Sequence, residues 1–354
     1  MELVELQKMF ADFLIKQENI STPQFEWSKE KEEEFDRIPI ETLLDDKYFL
    51  GLKEELYPVH RKDIIEFFER KERGEDLRLF LDSEAIRSGK TFKAAVMLWI
   101  MVFKNIIRYD LHEYYPTVGK NYGLAFLCAS RDLEKSKDVT FEKVLPLFLN
   151  SGFFIDYFPP DVTMQEVKEM KRKPDRLRFP NRMLLFTNSG MLGELGALGY
   201  DLIYAVLDEI NFFPMVKQSR RSVANIEGTF DAADELLTSV LTRIGAQFVI
   251  DGKLVPYAGV HALSARRGKN DFLSRKTVEY RSDPSVMIRD RKLWEAKPAA
   301  WKGRQIWCGK MFEFDTETLR CVNLREALRM YREQFGVDLM GINLEEYTDA
   351  IKED

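Results

Sequence analysis

Little in this chain points to metal or disulfide chemistry. Its 354 residues hold three cysteines, Cys128, Cys308 and Cys321, far apart and odd in number. No C-x-x-C pair exists, so neither a zinc ribbon nor a disulfide framework is available. The three histidines, His60, His112 and His261, are scattered, which argues against a histidine-rich metal site. Long apolar runs are missing too. The best, Ala94 to Ile107, is interrupted by Lys104 and Asn105 and is too short to cross a bilayer. The first residues, Met1-Glu2-Leu3-Val4-Glu5, carry acids where a secretory signal carries bases. The expectation is a chain neither embedded in a membrane nor secreted, in which the Asn19-Ile20-Ser21 sequon is a chance match. No repeat or low-complexity block is visible.

What is present is a core. Hydrophobic residues make up 45% and aromatics 12%, enough for a folded chain of two domains at most. The net charge of −6 is uneven: residues 1–80 hold 21 acids and 13 bases, and the remainder 38 acids and 40 bases. Basic surface is therefore expected only in the later part. Leu3, Leu6, Phe10, Phe13 and Leu14 recur at helical spacing over 3–15. Ser28 to Asp36 reads as a solvated charged helix or linker, and His60 to Glu72 as a helix. Strands are expected over 77–81, 122–130, 183–187, 202–207 and 255–263, and helices over 91–107, 132–149 and 232–244. Residues 82–89 read as a turn, 304–314 as a strand and 324–335 as a helix. Strands alternating with helices indicate an α/β domain with a mostly parallel sheet.

The most informative segment is Ser83-Glu84-Ala85-Ile86-Arg87-Ser88-Gly89-Lys90-Thr91. A phosphate cradle needs a curled backbone, a helix N-terminus facing the anion, and a lysine and a hydroxyl in reach. Gly89, Lys90 and Thr91 supply the glycine, the cation and a hydroxyl for Mg²⁺, between an expected strand and an expected helix. The usual pattern G-x-x-x-x-G-K-[ST] has glycine where this chain has Glu84. Further on, the apolar run Leu202 to Leu207 ends in Asp208-Glu209. Asp208 suits a metal ligand and Glu209 a base for an attacking water. Arg87, inside the loop, is suited to a γ-phosphate.

In order, these blocks resemble the large terminase subunit of tailed bacteriophages, over roughly Glu55 to Gly309. Leu56-Tyr57-Pro58-Val59-His60-Arg61-Lys62 is similar to that family's adenine-side segment, with His60 where glutamine is common. Ala85 to Thr91 is similar to its variant phosphate loop, and Leu207-Asp208-Glu209-Ile210-Asn211-Phe212 to its acidic strand end. Leu241-Thr242-Arg243-Ile244 is similar to its following helix, and Leu263-Ser264-Ala265-Arg266-Arg267 through Asp271-Phe272-Leu273 to its coupling motif. Trp294-Glu295-Ala296-Lys297-Pro298 also fits.

The resemblance implies a P-loop NTPase of the additional-strand, catalytic-glutamate class. Its limits would be 55–315, between an N-terminal extension (1–54) and a C-terminal helix and linker (316–354). It implies ATP and Mg²⁺ bound by residues 84–91 with Tyr57, His60 and Asp208, and a relay of nucleotide state through Ser264. It implies Lys90, Arg87 and Glu209 in catalysis. It further implies a ring of subunits in the host cytoplasm that moves double-stranded DNA into a capsid, docked on a portal protein, with a small terminase subunit choosing the DNA. Arg131, Arg182 and Arg243 are candidates for an arginine acting on a neighbour's site. Glu345, Glu346 and Asp349 have no preceding sheet to hold them, so nuclease activity is not expected. Two basic stretches are candidates for sequence-independent DNA contact: Lys168 to Arg182, with seven bases against two acids, and Ser264 to Lys310, with thirteen against five. A solvated face explains either stretch equally well. Two other readings stand beside the motor. One is a helicase-like ATPase, for which the stretch after Lys310 is too short to supply a second motor domain. The other is a scaffold that keeps the fold without turnover.

Overall fold

The computed structural model describes residues 27–117, 123–131, 140–160, 176–179, 183–189, 201–217, 229–268, 270–298, 305–308, 312–315 and 322. The helices expected over 3–15 and 324–335, and Glu345, Glu346 and Asp349, lie outside them. Contacts divide the chain after Arg291 into two compact units.

In the first unit, α1 (Lys29–Asp36), α2 (Ile40–Asp45) and α3 (Pro58–Glu72) lead into β1 (Leu79–Glu84) and α4 (Lys90–Ile106). Next come α5 (Leu111–Tyr114), β2 (Leu124–Ser130), α6 (Leu145–Leu149), α7 (Gly152–Tyr157), β3 (Arg176–Phe179), β4 (Met183–Ser189) and β5 (Asp201–Leu207). Two short antiparallel strand pairs, β6 (Met215–Lys217) with β7 (Thr229–Asp231) and β8 (Val249–Ile250) with β9 (Lys253–Leu254), flank α8 (Ala232–Gln247) in sequence. The unit closes with β10 (Gly259–Ser264), α9 (Phe272–Glu279) and β11 (Val286–Arg291).

Seven strands form one sheet in the order β11-β1-β10-β5-β2-β4-β3, and every pairing is parallel except β3 with β4. The central strands β1, β2, β5 and β10 are buried at every position, which is why β2 and β5 read as nearly continuous apolar runs rather than alternating ones. β10 stands between β1 and β5. The loop-bearing strand and the acid-tipped strand are thus separated by one inserted strand, the arrangement of the additional-strand class.

α4 explains how the sheet is covered. From Lys93 to Ile106 every residue is buried, so this is a core helix, apolar on all sides rather than on one stripe. Trp99 stacks on Phe103 at 5.5 Å, and Phe103 meets Phe153 edge-on at 4.7 Å. Phe35 of α1 joins the same aromatic layer. The charged stretch 28–36 is therefore a helix with a buried side. Its Glu32 and Asp36 bind Arg108, itself 2% exposed.

Two local expectations change. Residues 82–84, expected as a turn, continue β1 as buried strand. Asp82 and Glu84 tolerate that position because bases from α3, α4, β10 and β11 meet them there. Of the helix expected over 132–149, residues 132–139 lie outside the description; a π-helical turn (Thr140–Val144) leads into α6. In the second unit, the single strand expected over 304–314 is an antiparallel pair, β12 (Gln305–Cys308) and β13 (Phe312–Asp315), preceded by α10 (Leu293–Ala296).

Candidate functional site

Parallel sheets present their functional loops at the carboxyl ends of the strands, and the loop from β1 to α4 lies at that edge. The Ser88 amide donates to the Ala85 carbonyl at 3.2 Å, and the Lys90 amide to Ser88 Oγ at 3.3 Å. Lys90 Nζ reaches back across the loop to the Ala85 carbonyl at 3.4 Å. Gly89, just before the helix, has φ 99°. A Cβ there would stand 3.1 Å from the Tyr57 ring and 3.2 Å from the His60 ring. Glycine is thus required by conformation and by room. Ile86 and Arg87 are exposed at the tip, Ser88 is buried, and Ala85, Lys90 and Thr91 are half-buried. The amino end of α4 opens onto this curl.

The acidic end of β5 comes to the same place. Thr91 Oγ1 donates to Asp208 Oδ2 at 3.5 Å, across 117 residues of sequence. The Asp208 amide bonds to the Ala129 carbonyl at 2.8 Å, and Asp208 Oδ1 accepts the Glu209 amide at 2.9 Å. Burial pushes the Asp208 carboxyl up to about 6, while the Glu209 amide and the Lys90 charge pull it down. Glu209 is half-buried with φ 54°, and Arg87 has φ 65°. Among the described residues the other non-glycine with positive φ is Asp251. It occupies the two-residue turn between β8 and β9, where such values are normal. Arg87 and Glu209 have no hairpin to account for them, and strain of this kind gathers at functional sites.

Behind the loop lies a charge cluster. Glu84 is 1% exposed. Its carboxylate takes His60 Nε2 at 2.9 Å, Lys93 Nζ at 2.7 Å and Arg291 at 3.3 Å. Lys93 also meets Asp82 at 2.9 Å and Asp63 at 3.3 Å. Asp63 is gripped by Arg289 at 2.8 Å and bidentately by Arg291. His261 Nε2 meets Asp82 at 3.2 Å. Burial would raise the Glu84 carboxyl, but the His60 hydrogen bond and the Lys93 charge outweigh it and hold it far below the usual range. Glu84 thus stands at the phosphate loop with its carboxylate already occupied by protein groups.

The other expected residues fall as follows. Tyr57 and His60 pack on Gly89, and His60 spends its Nε2 on Glu84. Ser264 ends β10 fully buried, its Oγ accepting the Asn211 amide at 3.3 Å. Arg131 follows β2 directly and is exposed, on the same edge as Asp208. Arg243 lies one turn before Gln247, which bonds Asp201 at the amino end of β5, the opposite edge. Arg182 lies outside the described residues. Several bases of the 264–310 stretch are met by acids: Arg266 by Asp290, Arg275 by Asp231, Lys276 by Asp234 and Glu279, and Arg289 and Arg291 by Asp63.

Sequence reasoning missed three features. Lys93 interrupts an apolar run, which was a visible signal. Arg289 and Arg291 alternate at strand spacing and share a face of β11. Asn211 was missed as well: its Nδ2 donates to the Ala265 carbonyl at 2.8 Å and its Oδ1 accepts the Leu273 amide at 2.8 Å. It thereby joins the segment after Glu209 to the end of β10 and the start of α9.

The family model described as "Uncharacterized protein MJ0330, N-terminal P-loop domain" matches residues 13–306. The chain belongs to this P-loop family. A search of curated proteins finds no match. Solved structures similar to it include the large terminase of bacteriophage HK97, at 17% identity and TM-score 0.39, over 67% of this chain and 39% of that one. Another is the large terminase of a thermophilic bacteriophage in complex with ADP, at 12% identity and TM-score 0.40, over 69% of this chain and 47% of that one. The Thermus phage P74-26 large terminase ATPase domain matches at 12% identity and TM-score 0.38, over 62% of this chain and 78% of that domain. The chain thus spans less than half the length of the first two.

Loop 85–91 has the curled backbone, the glycine and the adjoining helix amino end that suit a phosphate. Among the described residues no group of three or more His, Cys, Asp or Glu is disposed to hold a metal ion. Mg²⁺ does not need one, because it takes one or two protein oxygens and completes its octahedron with phosphate oxygens and water. The Thr91 hydroxyl and the buried Asp208 carboxylate, already in contact, are hard oxygen donors of that kind.

Proposed function

We propose that this chain is a Mg²⁺-dependent ATPase and the motor portion of a DNA-translocating machine of the terminase type. The observation that carries the reading is the meeting of Thr91 with Asp208, with Glu209 next in line, at the mouth of the P-loop. Lys90 releases the Ala85 carbonyl and takes the β- and γ-phosphates. Thr91 and Asp208 would hold Mg²⁺, which would supply positive charge for the phosphate oxygens. Glu209 accepts a proton from water as the water oxygen bonds to the γ-phosphorus; the bond to the β–γ bridging oxygen breaks, and ADP and phosphate leave. Arg87 stabilises charge on the γ-phosphoryl oxygens. Asn211, bonded to Ser264, Ala265 and Leu273, carries the state of the Glu209 segment into the loop after Ala265, where Arg266, Arg267, Gly268 and Asn270 are exposed.

That loop, with Arg266 and Arg267, is the surface we assign to double-stranded DNA. Ring assembly, a portal and a small terminase subunit complete the proposal, with a neighbour's arginine, Arg131 foremost, finishing each site. Mg²⁺-dependent ATP turnover, with and without duplex DNA, tests it. Wild type turns over, and Glu209→Gln loses about 10²–10⁴-fold, the worth of a positioned general base, while still binding ATP. Equal turnover removes Glu209 from the mechanism. No binding at millimolar ATP favours the scaffold, and strand separation without any capsid component favours a helicase.

A further inference from the structure

The phosphate loop is held from behind by a group that ordinary P-loops do not have. Where the usual pattern has glycine, the Glu84 carboxylate makes three contacts, each to a different element: His60 on α3, Lys93 on α4 and Arg291 on β11. The Arg291 carbonyl also accepts the amide of Ala85, the next residue, at 3.1 Å. Lys93 sits one turn inside the helix that the loop starts, and its own amide bonds the Gly89 carbonyl at 3.0 Å. The Glu84–Lys93 pair therefore closes both ends of the segment 85–92, and the Tyr57 and His60 rings press on Gly89 from the side.

We infer that Glu84 is a positioning residue that holds the phosphate loop in its curled form before nucleotide arrives, by tying the end of β1 to the first turn of α4 and to α3. Burying paired charges is a poor way to gain stability, since an apolar set of similar volume does as well or better. What the arrangement does yield is a fixed geometry, and a loop ordered in advance spends less of its binding energy on ordering. The inference rests on the nucleotide site proposed above.

The test uses the full chain and the Glu84→Gln variant, with two readouts. Amide exchange without nucleotide reads the clamp itself. Exchange over 85–92 rises about tenfold in Glu84→Gln, the factor expected for losing one charge-assisted contact, while β2 is unchanged. Calorimetry with inorganic tripolyphosphate and with Mg²⁺-ATP reads the consequence, a matching loss of affinity for both. The inference is overturned if Glu84→Gln melts lower yet keeps wild-type loop exchange and affinity, or if Glu84→Gly binds tripolyphosphate like wild type. Should Glu84→Gln fail to fold, Arg291→Lys, which keeps the charge and loses the fork, gives the same two readouts. A wild-type chain that binds neither ligand overturns the proposed function alone, and the exchange result still decides the clamp.

Discussion

Two strands of this sheet, with one strand between them, end in a pair of acids, and the two pairs have opposite fates. At the end of β1, Asp82 and Glu84 are buried and met by Lys93, Arg291, His60 and His261. At the end of β5, Asp208 is buried against one hydroxyl and one amide, and Glu209 is half-buried on a strained backbone. The first pair belongs to the framework of the domain. In the second, Asp208 keeps a carboxyl that burial raises, and under the proposed function it is the one that receives Mg²⁺. Composition does not separate them; their neighbours in space do.

The same substitution should therefore have opposite signs at the two places. Asp82→Asn removes a charge from Lys93 and His261 and is expected to cost about 3 kcal/mol, the range for breaking a buried ion pair. Asp208→Asn is expected to stabilise the metal-free protein by about 1–2 kcal/mol at pH 7.5. The sign follows from linkage. Burial places the folded Asp208 carboxyl at about 6, against roughly 4 in the unfolded chain. Its favourable contribution is complete below the lower value and is lost as pH rises through 6. Above that, the folded state carries a poorly solvated charge that asparagine lacks. Urea unfolding in chelator checks both arms, and two substitutions of the same sign would erase the contrast. Asp208→Asn also abolishes Mg²⁺-ATP hydrolysis if the proposed function holds.

How much of this was legible beforehand follows the same division. The loop, the acids after an apolar strand, and the alternation of strands and helices all sit in local sequence, and they led to the fold. Residues 82–84 read as a turn because three consecutive polar residues after an apolar run usually are one. What buries them is Lys93, eleven residues past Asp82, and Arg291, some two hundred residues on, and no local pattern announces such partners. Likewise Arg289 and Arg291 counted as basic surface when they are bound to Asp63.

The lysines sharpen the comparison further. Lys93 and Lys71 are both fully buried. Burial lowers a lysine, but Asp82, Glu84 and Asp63 outweigh it at Lys93, whose value is raised. Lys71 has the carbonyls of Leu77, at 2.5 Å, and Ala258, at 2.7 Å, as hydrogen-bond partners. Burial pushes it down to about 7, with only the charge of Asp76 opposing. Between pH 7 and about 10.4 the unfolded chain holds a proton that the folded one has released, so this group makes the protein more stable as pH rises across that window. Lys71→Met removes that slope. It is expected to cost about 2 kcal/mol at pH 9.5, for two carbonyls left without donors, and less at pH 6.5. Urea titrations at the two pH values decide it, and a cost independent of pH would place Lys71 on the same footing as Lys93.

The smallest effect separates strain from charge within the open site. Arg87 at φ 65° lies in the left-handed region without a hairpin to justify it, at a cost of about 1 kcal/mol. Glycine adopts that conformation freely. Arg87→Gly is therefore expected to gain up to about 1 kcal/mol of stability, offset in part by the greater freedom of glycine in the unfolded chain. It should also lower ATP turnover, because the guanidinium assigned to the γ-phosphate is gone. Arg87→Ala keeps the strain and loses the charge, so it should lower turnover equally with no gain in stability. If Arg87→Gly lowers stability instead, the positive φ is relieved by contacts of the arginine side chain. The two positive-φ positions of the site would then differ in kind, with the backbone strained at Glu209 alone.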